Sequence, residues 1–219
     1  MPTARFDAPV VVTAGADDST AALVVLLHGR GSDESSMLAL APRLPAGPTY
    51  AALRAPIREG GGYAWFANRG IGRPIAESLA DTMAWFRTWL DTQAPAGRPV
   101  VLIGFSGGAA FAGGLILSDP ERYAAAAVLL GTLPFAAGVP VDPDRLDGVP
   151  IFVSHGEHDT VIPRELLERT WTYLHDESGA EITSLRSPEG HTLSAETVRA
   201  LGRWVSEVTW PVVETAERP

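Results

Sequence analysis

The sequence predicts an α/β fold: one three-layer domain, with a mostly parallel sheet and helices on both faces. Three observations predict it. Short, near-continuous apolar runs such as Ala21–Leu27 and Pro99–Phe105 read as strands buried on both faces. Segments with helical spacing, above all Ile75–Leu90, alternate with them, and that alternation means βαβ units. The length of 219 residues suits a single domain of this class. The domain is expected to span 1–219, with a core over about 8–208 and a loosely ordered tail over 209–219.

Each element has a local reason. Pro9–Thr13 reads as a first, edge-type strand, and Ala21–Leu27 as a central one. Glu34–Ala41 looks helical, with Ser32 or Asp33 as its cap. Thr49–Leu53 is a short strand. Ala55–Pro74 is rich in turn residues and holds Gly60, Gly61 and Gly62 beside Tyr63, Trp65 and Phe66. Ile75–Leu90 is an amphipathic helix on Leu79, Met83, Phe86 and Leu90, with Trp85 and Trp89 as packing and surface cover. Then follow a strand at Pro99–Phe105, a helix at Gly107–Ser118, and a buried strand at Ala124–Gly131. A loop of Pro, Gly and Asp covers Thr132–Gly148. Val149–His155 is a strand, Pro163–Asp176 a helix, Ala180–Arg186 a strand, and Ser194–Val208 the last helix.

Composition narrows the function classes. The net charge of −9 argues against a nucleic-acid partner, which needs clustered Lys and Arg. The absence of cysteine removes disulfides, thiolate metal sites and a Cys nucleophile, and fits a reducing compartment. No apolar run reaches the roughly 18 residues of a membrane span, and the N-terminus lacks a signal-peptide pattern. A soluble, cytoplasmic protein is expected.

The chemistry starts at Gly104-Phe105-Ser106-Gly107-Gly108. This G-x-S-x-G follows an apolar strand and opens a helix of small residues, the setting of a nucleophile elbow. A larger side chain at Gly104 or Gly108 would collide across so tight a turn. A serine hydroxyl needs a base, and the base an orienting carboxylate, in the chain order Ser, acid, His. Asp159 follows the strand ending near Ser154, and His191 lies between the last strand and last helix. Both loops, like Ser106, follow strands and so belong to one sheet edge, where ligands bind in such folds. Ser106 is therefore the expected nucleophile, His191 the base, and Asp159 the carboxylate. Glu157 is the alternative acid, and Asp159 then only a helix cap. His155 and His158 lie too near Asp159 to come from a separate, later loop, and His175 falls at a helix end. His155, His158 and Asp159 could alternatively ligate a metal, but no second cluster completes the coordination.

The tetrahedral intermediate needs two backbone donors. One is the N–H of Gly107, and the other belongs to the loop at Leu26–Asp33, where Gly29 and Gly31 let the chain turn inward. Tyr63, Trp65, Phe66, Leu133, Phe135 and Ile162 could line an apolar acyl pocket, with ordinary core as the alternative. No insertion is long enough for a helical lid, so short or medium acyl groups are expected.

These residues resemble the small carboxylesterases of the phospholipase/carboxylesterase family, to which acyl-protein thioesterases also belong. The matching pieces are Leu27-His28-Gly29-Arg30-Gly31, Arg54-Ala55-Pro56, Gly61 to Phe66, Gly104 to Gly108, Gly156 to Pro163, and Gly190-His191. The resemblance implies an α/β-hydrolase fold and hydrolysis of a small-molecule ester or thioester without cofactor or metal. It supports Ser106, Asp159 and His191 as the triad, points to the Arg30 and Gly107 amides as the oxyanion hole, and is compatible with a homodimer, although the sequence does not give the oligomeric state. The family commonly carries Gln after the serine, where this chain has Gly107. The competing readings are a non-catalytic ligand receptor on the same fold, or an acyltransferase or peptidase on the same triad.

Overall fold

The structure, a computed structural model, describes residues 6–95 and 97–209. In chain order the elements are β1 (Val11–Gly15), β2 (Leu23–Leu27), α1 (Glu34–Leu38), β3 (Thr49–Leu53), β4 (Ile57–Glu59) and β5 (Gly62–Ala64). They continue as α2 (Ala76–Gln93), β6 (Val100–Phe105), α3 (Gly107–Ser118), β7 (Ala125–Leu129), β8 (Pro150–Gly156), α4 (Arg164–Thr172), β9 (Glu181–Ser187) and α5 (Ala195–Thr209).

The apolar runs become central strands because helices cover both their faces. Every residue of β2 and of β7 is buried. Seven strands form one sheet in the order β1-β3-β2-β6-β7-β8-β9. Only β1 runs antiparallel to its neighbour; the remaining pairings are parallel. The carboxyl ends of β2, β6, β8 and β9 therefore open on the same edge.

Two apolar layers flank the sheet. One gathers Leu27, Leu53, Leu79, Phe86 and Phe111 under α2 and α3; the other gathers Val24, Met37, Ile103, Phe152 and Trp204 under α1 and α5. α5 shows the expected stripe, with Thr197, Val198, Leu201, Trp204 and Val205 inward. α3 is buried from Gly108 to Leu117, and small residues make that possible. A Cβ on Gly113 would stand 2.6 Å from Leu133, and one on Gly114 3.1 Å from Met83 Sδ. Its last carbonyls are capped from outside, Arg145 donating to Leu117 O and Ser118 O. Trp85 and Trp89 are half-buried against the first layer.

Three sequence expectations need correction. The Ala55–Pro74 segment is not all turn: β4 and β5 form a hairpin across Gly60-Gly61, with Gly60 at φ +59°. The helix expected over Pro163–Asp176 ends as α-helix at Thr172 and widens into a π turn over Tyr173–Glu177, where Ser178 N–H reaches Tyr173 O. The helix expected over Glu34–Ala41 stops at Leu38, short of Pro42. The expected tail lies outside the described residues, apart from Thr209, which closes α5.

Candidate active site

Ser106 joins β6 to α3 at φ 54° and ψ −113°, a conformation L-residues rarely hold. The neighbouring chain leaves no alternative. A Cβ on Gly104 would run into the Gly108 carbonyl, and one on Gly108 into the Leu27 carbonyl. The turn is tied down at both ends: Ser106 N–H donates to Leu129 O at 2.9 Å, and Ser106 O accepts from Ala109 and Ala110. The hydroxyl is thus held at the carboxyl edge of the sheet.

The structure brings Ser106, His191 and Asp159 together. Ser106 Oγ lies 2.9 Å from His191 Nε2, and His191 Nδ1 lies 2.7 Å from Asp159 Oδ2. The Asp159 side chain is fully buried, and its Oδ1 accepts from the amides of Val161 (2.8 Å) and Ile162 (3.0 Å). A carboxylate oxygen accepts, so Nδ1–H donates to Asp159 and Nε2 faces the hydroxyl as the acceptor. The His191 loop is held against the end of β8. His158 N–H donates to Glu189 O at 3.2 Å, and a Cβ on Gly156 would strike the Glu189 and Gly190 carbonyls.

The other candidates lie elsewhere. Glu157 is exposed. His158 Nδ1 meets Pro188 O at 2.5 Å, and His155 packs on Trp171 at 4.8 Å between ring centroids. Burial first, and then Arg186, pushes the His155 pKa down. His175 Nδ1 donates to Trp171 O. Asp159, His155 and His158 face different partners, and among the described residues no three His, Asp or Glu converge as a metal would require.

The loop after β2 runs beside the start of α3. A Cβ on Gly107 would lie only 3.2 Å from Arg30 N, so the two amides are neighbours. Gly107 opens α3, and a first-turn N–H has no partner within its own helix. Two adjacent N–H groups beside a hydroxyl can bind an oxyanion.

Much of this loop's support comes from the β4–β5 hairpin. Gly31 N–H donates to Tyr63 O (2.8 Å), and Tyr63 N–H to Ser32 O (2.9 Å). The Arg30 guanidinium forms a fork on Glu59 and donates through Nη1 to Phe66 O at 2.9 Å. His28 is fully buried below: Nδ1 donates to Gly29 O (2.7 Å), and Nε2 accepts from Ala55 N–H (3.1 Å). Burial pushes its pKa down, which keeps the acceptor nitrogen unprotonated. Farther along, Asp33 caps α1, and the buried Glu34 carboxylate takes a fork from Arg54. Sequence reasoning did not single out Glu59 or Glu34. Each meets its arginine across 29 or 20 residues of chain, beyond any local spacing rule.

A cavity of about 810 Å³ opens over Ser106 and His191. Its apolar walls come from both core layers: Met37, Leu40 and Val198 from one, Phe66 and Ala110 from the other. Ile71 and Val161 stand at its border, 44% and 46% exposed. Phe66 and Ile162 line it as expected, but Tyr63, Trp65, Leu133 and Phe135 do not. Trp65 is core: its indole stacks on Phe111 at 4.6 Å and donates to His28 O. Leu133 is buried against Gly113. The Tyr63 ring faces the Arg54 and Arg58 guanidinium groups, at 4.9 and 5.6 Å. Phe135 lies edge-on to Tyr173 and under Arg169.

Known proteins share this arrangement of chain. A family model described as phospholipase/carboxylesterase matches residues 8–208. The protein MhqD of Bacillus subtilis (strain 168) is 26% identical over 194 residues, covering 84% of this chain and 92% of that protein. The carboxylesterase of Bacillus cereus superposes with a TM-score of 0.79 at 22% identity, over 91% of this chain and 94% of its own. The carboxylesterase from Mesorhizobium loti gives 0.74 at 25% identity, over 84% and 88%. Acyl-protein thioesterase 2 of Zea mays gives 0.74 at 22% identity, over 92% and 99%. Among the described residues, no helix is long and apolar enough to cross a membrane.

Proposed function

The chain belongs to the phospholipase/carboxylesterase family of serine hydrolases, and on that premise we propose that it cleaves carboxylic esters of short to medium acyl chains through an acyl-enzyme on Ser106. The observation that carries the reading is the hydrogen-bonded chain from Ser106 Oγ through His191 to the buried Asp159.

Ser106 Oγ attacks the ester carbonyl as His191 Nε2 takes its proton, and Asp159 stabilises the imidazolium that results. The Gly107 and Arg30 N–H groups hold the negative oxygen of the tetrahedral intermediate. His191 returns the proton to the departing alkoxide, leaving the acyl group on Ser106. A water deprotonated by the same nitrogen then hydrolyses the acyl-enzyme, and the proton returns to Ser106. The cavity walls at Phe66 and Ile162 accept the apolar part of the substrate. On the same reading the enzyme works as a homodimer in the cytoplasm; light scattering after size exclusion checks the assembly.

The test is hydrolysis of p-nitrophenyl esters from acetate to palmitate, with a thioester arm alongside. Turnover that favours butyrate-length chains, vanishes in Ser106→Ala and is blocked by one phosphonate per Ser106 supports the proposal. Absence of turnover and labelling in folded protein overturns it. Palmitoyl turnover far above butyryl turnover overturns the chain-length part alone.

A further inference from the structure

We propose that Glu59 is a positioning residue for the oxyanion hole, acting through the Arg30 guanidinium to fix the direction of the Arg30 N–H. The inference rests on the reading of the Arg30 and Gly107 amides as the oxyanion donors.

Arg30 sits between two glycines, Gly29 and Gly31, the second at φ +77°. Such a stretch is free to rotate, and a turn of the Gly29–Arg30 peptide plane would point a carbonyl into the site instead of an N–H. The carbonyl of that plane, Gly29 O, accepts from the His28 ring (2.7 Å) and from Ser32 N–H (3.2 Å), and the next amide, Gly31 N–H, donates to Tyr63 O. The Arg30 end of the plane is held by the side chain. Three guanidinium nitrogens are engaged, two on Glu59 and one on Phe66 O. A forked arginine–carboxylate pair fixes orientation as well as distance. Glu59 is the last residue of β4 and opposes Gly62, whose missing Cβ lets the hairpin lie against the Gly31 carbonyl. The hairpin thus brings the carboxylate to the loop. The Glu59 side chain is 41% exposed, so the pair adds little to global stability and its effect falls on geometry.

Glu59→Ala, Glu59→Gln and wild type are compared for kcat and KM on p-nitrophenyl butyrate. The Arg30 amide is followed by NMR before and after formation of a tetrahedral phosphonate adduct on Ser106. Expected are a fall in kcat of about tenfold in Glu59→Ala with KM nearly unchanged, and partial recovery in Glu59→Gln, which retains one acceptor. The downfield shift of the Arg30 amide in the adduct should shrink in parallel. An unchanged kcat in Glu59→Ala, or a change in KM alone, overturns the proposal while leaving the oxyanion hole intact. An Arg30 amide that does not respond to the adduct in wild type overturns the hole assignment and the proposal together. Equal losses in Glu59→Ala and Glu59→Gln that follow a lowered melting temperature mean a structural role and also overturn it.

Discussion

Gly107→Ala should make the protein slower without making it less stable. The added Cβ would lie 3.2 Å from Arg30 N and 3.4 Å from Arg30 Cβ, closer than ordinary contact, so the loop after β2 must retreat by a few tenths of an ångström. The loop can give, because Arg30 is partly exposed and flanked by glycines. Losing a whole oxyanion donor costs about 2.7–4 kcal/mol in the barrier; forfeiting about a third of one raises it by about 1 kcal/mol, or about fivefold in kcat. Replacing glycine at the start of α3 removes unfolded-state freedom worth about 0.4–1 kcal/mol, which offsets the strain of moving the loop. The pair of measurements is kcat on p-nitrophenyl butyrate and the calorimetric melting temperature. A variant that keeps wild-type kcat would refute the reasoning, since it would mean that the Arg30 amide need not be held against Gly107. A marked drop in melting temperature would refute the other half, that the loop is the soft partner.

Ser106→Gly should abolish hydrolysis yet raise stability by about 1 kcal/mol, because glycine relieves the φ of 54°; chemical denaturation showing a loss instead would remove the case for strain at the elbow. Ile162→Ala enlarges the cavity wall, so the preferred acyl chain should lengthen by about one or two carbons while stability falls by about 2–4 kcal/mol; a chain-length profile that does not move would take Ile162 out of the substrate's path. Arg54 holds the Glu34 carboxyl below its ordinary value of 4.5, so this pair stabilises the fold above that pH and the contribution is lost as pH falls through the lowered value. Glu34→Gln should therefore lower the melting temperature by about 3 °C at neutral pH, and the gap from wild type should close in acid; a gap independent of pH would contradict the linkage.

What the sequence disclosed followed the range of the forces involved. The expected β3 matches Thr49–Leu53, and the start of α3 falls at Gly107, because buried apolar runs and a glycine-bound elbow are local features. Ser106, His191 and Asp159 could be paired across the chain because parallel strands bring their loops to one edge. The hairpin at Ile57–Ala64 was hidden by strands of three residues, although Gly60-Gly61 between Glu59 and Gly62 was its signal. The pocket residues were legible only as apolar. Whether Trp65 faces a cavity or Phe111 is decided by the neighbouring element, and composition carries no trace of it. The Glu59 fork belongs to the same class, a tertiary meeting without a spacing rule.

The two halves of the site rest on foundations of unequal firmness. Ser106 stands between β6 and the fully enclosed middle of α3, with its amide tied to β7. The Arg30 side leans on a two-stranded ribbon with half-exposed side chains. Regions with few buried contacts open by themselves, far below the free energy of global unfolding. In hydrogen exchange the Ser106 amide should accordingly wait for the whole molecule to open, while Gly31 and Tyr63 exchange through local excursions. Heating should then silence the enzyme several degrees before the fold is lost, and cooling should restore it.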